Sequence, residues 1–124
     1  MELYARFKGI SSCSASSENG VASCEKAFDG HDGTWWQTKY DEMIIGAWIK
    51  INLVGAYRLT KMMVMGPQGN EHPAKDISLA FSNGVPVDFT LDDTSEWQTI
   101  DLLLIGTNFI TNYVKITVNS VYDQ

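Results

Sequence analysis

Ala27-Phe28-Asp29-Gly30-His31-Asp32-Gly33-Thr34-Trp35-Trp36-Gln37-Thr38 joins an oxygen-rich segment to an aromatic pair. Asp29, Asp32 and Thr34 carry side-chain oxygens, and Gly30 and Gly33 let the backbone turn its carbonyls inward, so the segment suits a hard cation such as calcium. The same Asp-Gly-x-Asp-Gly pattern is also ordinary turn chemistry, in which aspartate side chains cap their own backbone. Trp35 and Trp36 follow directly. Adjacent residues of an extended segment point to opposite faces, so one indole can anchor a core while the other faces a ligand or a loop.

Outward from this segment the chain reads as short strands. Trp48-Ile49-Lys50-Ile51-Asn52-Leu53 and Tyr113-Val114-Lys115-Ile116-Thr117-Val118 alternate apolar with polar, the pattern of half-buried strands. Between them Tyr57 to Met65, Asp76 to Phe81, Val87 to Leu91 and Trp97 to Leu104 read as further strands. Gly55, Gly66-Pro67-Gln68-Gly69-Asn70, Ser82-Asn83-Gly84-Val85-Pro86 and Gly106 separate them, residues that tight turns demand. Regular short strands at this spacing predict a β-sandwich or barrel. Only Ser23 to Phe28 suggests a helical turn, which argues against parallel α/β architectures. With 124 residues, the chain is expected to form one domain around one core.

The net charge of -6 and the scattering of nine Lys and Arg speak against binding a phosphate backbone, so nucleic acid is not an expected partner. No apolar run approaches the roughly 20 residues of a membrane helix. Met1-Glu2-Leu3-Tyr4-Ala5-Arg6 lacks the basic and apolar regions of a signal peptide. The expected setting is extracellular or at the cell surface, as a domain cut from a longer protein. Cys13 and Cys24 flank a turn-rich Ser/Gly/Asn segment and can close a small disulfide, the alternative being two buried thiols in a reducing compartment. Two cysteines without nearby histidines make a poor zinc site.

Ala27-Phe28-Asp29-Gly30, Thr34-x-Trp36, Gly46-Ala47-Trp48-Ile49-Lys50-Ile51-Asn52-Leu53 and Tyr57-Arg58-Leu59-Thr60 together resemble the pattern of discoidin domains, also called coagulation factor V/VIII type C domains. The carbohydrate-binding modules of family 32 share it. The likeness continues through Ile77 to Gly84, Trp97-Gln98-Thr99 and Asn112 to Val118. It implies an all-β, antiparallel jelly-roll sandwich of the galactose-binding type, with binding loops at one end. Discoidin-type chains usually add a last strand of the Glu-Leu-Tyr-Gly kind, whereas this sequence stops at Tyr122-Asp123-Gln124. Met1-Glu2-Leu3-Tyr4-Ala5-Arg6-Phe7-Lys8-Gly9 resembles that strand in front of the domain. It is either the last strand in permuted position, a strand filling that slot natively or from a neighbouring chain, or an ordinary first strand.

The resemblance also implies a structural calcium ion. In relatives that bind it, the loop matching Lys26 to Thr34 supplies oxygens and the last strand adds a ligand. Carried onto this chain, the set is Asp29 and Thr34, with Lys26 and Asp32 as contributors, and Glu2 if the leading strand takes the last slot. Nothing nearby suits the ion to a Lewis-acid role.

Sugar recognition needs an aromatic platform and a few planar polar groups. Loop candidates are Glu18, Asn19, His31, Trp36, Tyr40, Asn70, Glu71 and His72, with Trp36 equally readable as core. In family 32 modules the loop after the tryptophan motif and the loop matching Gly66 to Lys75 often face the ligand. Catalysis is not expected: no nucleophile elbow supports a triad of His31, Asp29 and Ser11 or Ser12, and the adjacent Asp92 and Asp93 would point apart in a strand. A non-catalytic lectin-like module binding a galactose-type glycan is the leading expectation, and protein recognition in adhesion the alternative. Phospholipid binding is disfavoured, because the one apolar loop candidate, Met43-Ile44-Ile45, follows Asp41 and Glu42, which would repel anionic lipid.

Overall fold

The period-2 alternation folds into two antiparallel sheets packed around a single core. The computed structural model describes residues 2–6 (backbone only), 9–20, 23–28, 36–38, 44–65, 73–83, 85–103 and 110–122. Strands β1 (Glu2–Arg6), β3 (Trp36–Gln37), β5 (Lys61–Met65) and β8 (Trp97–Asp101) form one sheet in the order β3-β1-β5-β8. The other, in the order β2-β4-β9-β6-β7, comprises β2 (Ile10–Ala15), β4 (Trp48–Arg58), β6 (Asp76–Phe81), β7 (Val87–Thr90) and β9 (Ile110–Val118). Cys24–Ala27 forms a short 3₁₀ turn where Ser23 to Phe28 predicted a helical one.

The central strands send alternate residues inward. Ile49, Ile51 and Leu53 of β4, Val114, Ile116 and Val118 of β9, and Ile77, Leu79 and Phe81 of β6 meet Met62, Val64 and Ile100 from the opposite sheet. Tyr57 to Met65, expected as one strand, is two. β4 runs on to Arg58 through an irregularity in its pairing with β9 between Asn52 and Tyr57, and Leu59-Thr60 carries the chain to β5 in the other sheet. A single strand cannot serve both layers, so the backbone bends there. The corner between β1 and β2 is equally constrained: Gly9 sits at φ +73°, and a Cβ there would lie 2.7 Å from the Tyr57 hydroxyl oxygen.

Asp76, which opens β6, accepts hydrogen bonds from Thr90 Oγ1 (2.7 Å) and Ser120 Oγ (2.8 Å). These bonds, aided by the Lys75 charge, hold its carboxyl below the ordinary value of 3.8. The folded state therefore binds fewer protons than the unfolded chain across that interval, and stability falls as pH falls. The contribution is complete above the unfolded value and disappears as pH drops through the lower, folded one. Asp76→Asn should melt below the wild type at neutral pH, with the gap closing in acid. A gap in thermal midpoint that stays constant into that acid range contradicts the assignment.

Candidate functional site

The strand register collects several connections at one end of the sandwich. β5 runs antiparallel to β1 and β8, so it ends at Met65 on the Glu2 side, with Met65 opposite Tyr4 of β1 and Trp97 of β8. Trp48, Val118 and Asp76 stand at the ends of their strands on that side as well. Ser16 joins the cluster there, its backbone N–H donating to Trp48 O (2.9 Å), and Asn19 N–H donates to Gln37 O (2.8 Å). The segments carrying Glu18 and Asn19, and those flanking 39–43 and 66–72, thus share one end of the fold.

The base beneath this end is tied together by backbone hydrogen bonds. Lys75 N–H donates to Ser120 O (2.8 Å), Leu91 N–H to Lys75 O (2.7 Å), and Tyr122 N–H to Pro73 O (2.9 Å). Tyr122 Oη donates to Leu91 O (2.6 Å), and the Lys75 ammonium lies 5.5 Å from the centre of its ring. A base fixed in this way lowers the cost of ordering the loops around a ligand.

Both sides of the acidic segment are anchored. On the upstream side Cys24 is disulfide-bonded to Cys13 of β2, with an S–S distance of 2.03 Å. Glu18 Oε2 accepts the Cys24 backbone N–H at 2.6 Å, holding the first turn of the 3₁₀ segment. On the downstream side Trp36 is completely buried and its Nε1–H donates to Ser17 O at 2.9 Å. Trp36 is therefore a core side chain and cannot serve as a sugar platform, a correction to its place among the ligand candidates. Its position in β3, opposite Leu3 of β1, turns the indole into the interior.

Of the other ligand candidates, Glu18 and Asn19 lie at the loop end, Glu18 with one carboxylate oxygen already engaged by Cys24. His31, Tyr40, Asn70, Glu71 and His72 lie outside the described residues, as do Asp29, Asp32 and Thr34 of the cation set. Two members of that set are placed. Lys26 belongs to the 3₁₀ turn, which packs against β1, β2 and β3, and Glu2 pairs with Gln37, one residue past Trp36. The leading strand thus pairs, within the same chain, with the strand that follows the acidic segment. Among the described residues Cys13, Cys24 and Glu25 form a metal-like cluster, and its sulfurs are consumed by the disulfide.

Trp97, half-buried beside Met65, is an aromatic residue at this end that sequence reasoning had assigned only to a strand. Its signal was its position at the first residue of β8, next to the strand end from which 66–72 departs. Of the apolar loop candidate, Ile44 packs against the core and Ile45 is exposed, whereas Met43 lies outside the described residues.

A family model described as the F5/8 type C domain matches residues 10–124. The chain belongs to this family. The match begins after β1, so the strand inserted between β3 and β5 lies outside the matched range of this F5/8 type C domain. No curated protein matches the domain by sequence. Among solved structures, the domain is similar to the family 32 CBM from Clostridium perfringens NanJ in complex with galactose, with TM-score 0.74 and 23% identity over 89% of this chain and 82% of that one. It is also similar to a C. perfringens module, CpGH89CBM32-5, in complex with GalNAc-β-1,3-galactose (TM-score 0.76, 20% identity, 89% and 84% covered). A third is the CBM32 of AlyQ in complex with 4,5-unsaturated mannuronic acid (TM-score 0.72, 18% identity, 100% and 89% covered). At these identities the likeness establishes the β-sandwich fold.

Proposed function

We infer that this F5/8 type C domain is a non-catalytic carbohydrate-binding module that recognises a galactose-type glycan through the loop end, with calcium holding the acidic segment. The observation that carries the reading is the gathering of the segments bearing Glu18 and Asn19, and of the strand ends flanking 39–43 and 66–72, over a hydrogen-bonded base. Solved relatives in complex with galactose and with GalNAc-β-1,3-galactose support the choice of sugar. Asn19, Tyr40, Asn70, Glu71 and His72 supply the planar polar and aromatic groups that ring hydroxyls and an apolar sugar face require. His31 is a further candidate from the acidic segment.

Asp29, Asp32, Thr34 and the Lys26 carbonyl, joined by Glu2 from β1, are the residues that would hold calcium; hard oxygen donors of this kind suit the ion, which would fix the loop and not take part in chemistry. The disulfide favours an oxidising setting, consistent with an extracellular or cell-surface location. Titrating galactosides calorimetrically, first with calcium and then with chelator, tests both parts. Binding heat with calcium, weakened on chelation together with a lower melting midpoint, is the expected result. No heat with any galactoside contradicts the lectin reading, and an unchanged melting midpoint on chelation removes the ion.

A further inference from the structure

The outer face of the five-stranded sheet carries a feature that the loop-end reading does not use. Trp48, Lys50 and Asn52 alternate with the buried Ile49 and Ile51, and stand directly opposite Thr117, Lys115 and Tyr113 of β9. Lys50 and Lys115 therefore face each other across the two central strands of this face, a pairing of like charges that is unfavourable in a sheet. The two ammonium groups are drawn apart. The Lys115 ammonium lies 4.7 Å from the Trp48 ring centre and that of Lys50 lies 4.4 Å from the Tyr113 ring centre. Both contacts follow the same diagonal of the register, and each holds a cation in place over an aromatic face.

The neighbours of this pair are small or neutral. Ser14 pairs with Lys50, Ser12 with Asn52, and Ala80 with Lys115. Asn52 Nδ2 donates to Ser12 Oγ at 3.2 Å, leaving its amide oxygen directed to no other partner among the described residues. Carboxylates on this face stand at its β6–β7 side and are already hydrogen-bonded, Asp88 to Ser78 and Asp76 to Thr90 and Ser120. No carboxylate pairs with Lys50 or Lys115 among the described residues. A protein of net charge -6 thus holds two of its nine cations over aromatic rings, among hydroxyl and amide groups and paired with no carboxylate of the described residues.

We propose that the β2-β4-β9 face is a second binding surface, for a linear acidic polysaccharide bearing carboxylates, with Lys50 and Lys115 as its anion contacts and Ser12, Ser14 and Asn52 meeting its hydroxyls. The ammonium groups cover the aromatic faces, so Trp48 and Tyr113 orient cations and do not stack on a neutral sugar. Two cations on an acidic protein match a polymer with one carboxylate per sugar, whereas the denser charge of duplex phosphate would be repelled more strongly by the rest of the molecule. This surface is independent of galactose binding at the loop end.

The test titrates an oligogalacturonate into the isotope-labelled domain and reads the Asn52 side-chain amide and the backbone amides of Lys50, Asn52, Tyr113 and Lys115, which lie along the strands away from the loop end. Oligogalacturonate should shift these resonances, more weakly as salt is raised, while a neutral galactoside leaves them in place. Lys50→Gln with Lys115→Gln should weaken uronate affinity roughly tenfold. Ser14→Asp, an exposed change that leaves both aromatic contacts intact, should weaken it in the same sense. Unmoved resonances, or variants that bind as well as the wild type, overturn the proposal. Equal or tighter binding of duplex DNA or of anionic lipid vesicles overturns the assignment to a glycan.

Discussion

Replacing Trp36 by alanine is expected to destabilise the domain by about 3 to 5 kcal/mol. The side chain has no exposed surface and packs in the core common to both sheets, so its removal leaves a cavity that neighbouring strands cannot close. The Ser17 carbonyl also loses the indole N–H it accepts at 2.9 Å. For a domain of this length such a loss lowers the thermal midpoint by roughly 15 °C. Trp36→Phe separates the two causes: it keeps much of the packing, gives up the hydrogen bond, and should cost an intermediate amount. Denaturant melts give the comparison. A Trp36→Ala variant within 1 °C of the wild type would mean that the indole does not hold β3 to the core.

Removing the disulfide by Cys13→Ala with Cys24→Ala should lower stability by about 3 kcal/mol, or roughly 10 °C in midpoint. The bridge spans a sequence separation of 11 and tethers the 3₁₀ turn to β2. Its effect falls mainly on the unfolded chain, which becomes less compact without it. The double variant should accordingly show a steeper denaturant dependence, whereas Trp36→Ala should leave the slope near the wild-type value. A reduced protein with unchanged midpoint and slope would contradict this role.

The strands whose alternation is complete were legible from sequence. Trp48 to Leu53 and Tyr113 to Val118 lie within β4 and β9, the pair at the middle of the larger sheet, because each buries one face and exposes the other. The break at Leu59-Thr60 was not legible, since it depends on the chain changing sheets and no glycine or proline marks it. The two readings of the Trp35-Trp36 pair were local and equivalent; pairing of β3 with β1 decides for Trp36, and that partner lies more than thirty residues away in sequence. Glu18 was read as a ligand group because an exposed-looking glutamate in a serine-rich loop gives no sign of the Cys24 N–H it accepts. The lysine pair escaped notice for the same reason: Lys50 and Lys115 are ordinary polar positions in two separate strands until register sets them opposite each other.

Galactose titrated into the isotope-labelled domain in the presence of calcium, with backbone amide shifts read residue by residue, tests glycan recognition at the loop end most directly. Recognition there predicts saturable shifts at Glu18 and Asn19 and at the residues bordering 39–43 and 66–72, with the opposite end of the sandwich around Gly9 and Arg58 unmoved. Shifts absent from the loop end at saturating sugar, or confined to the opposite end, would contradict it.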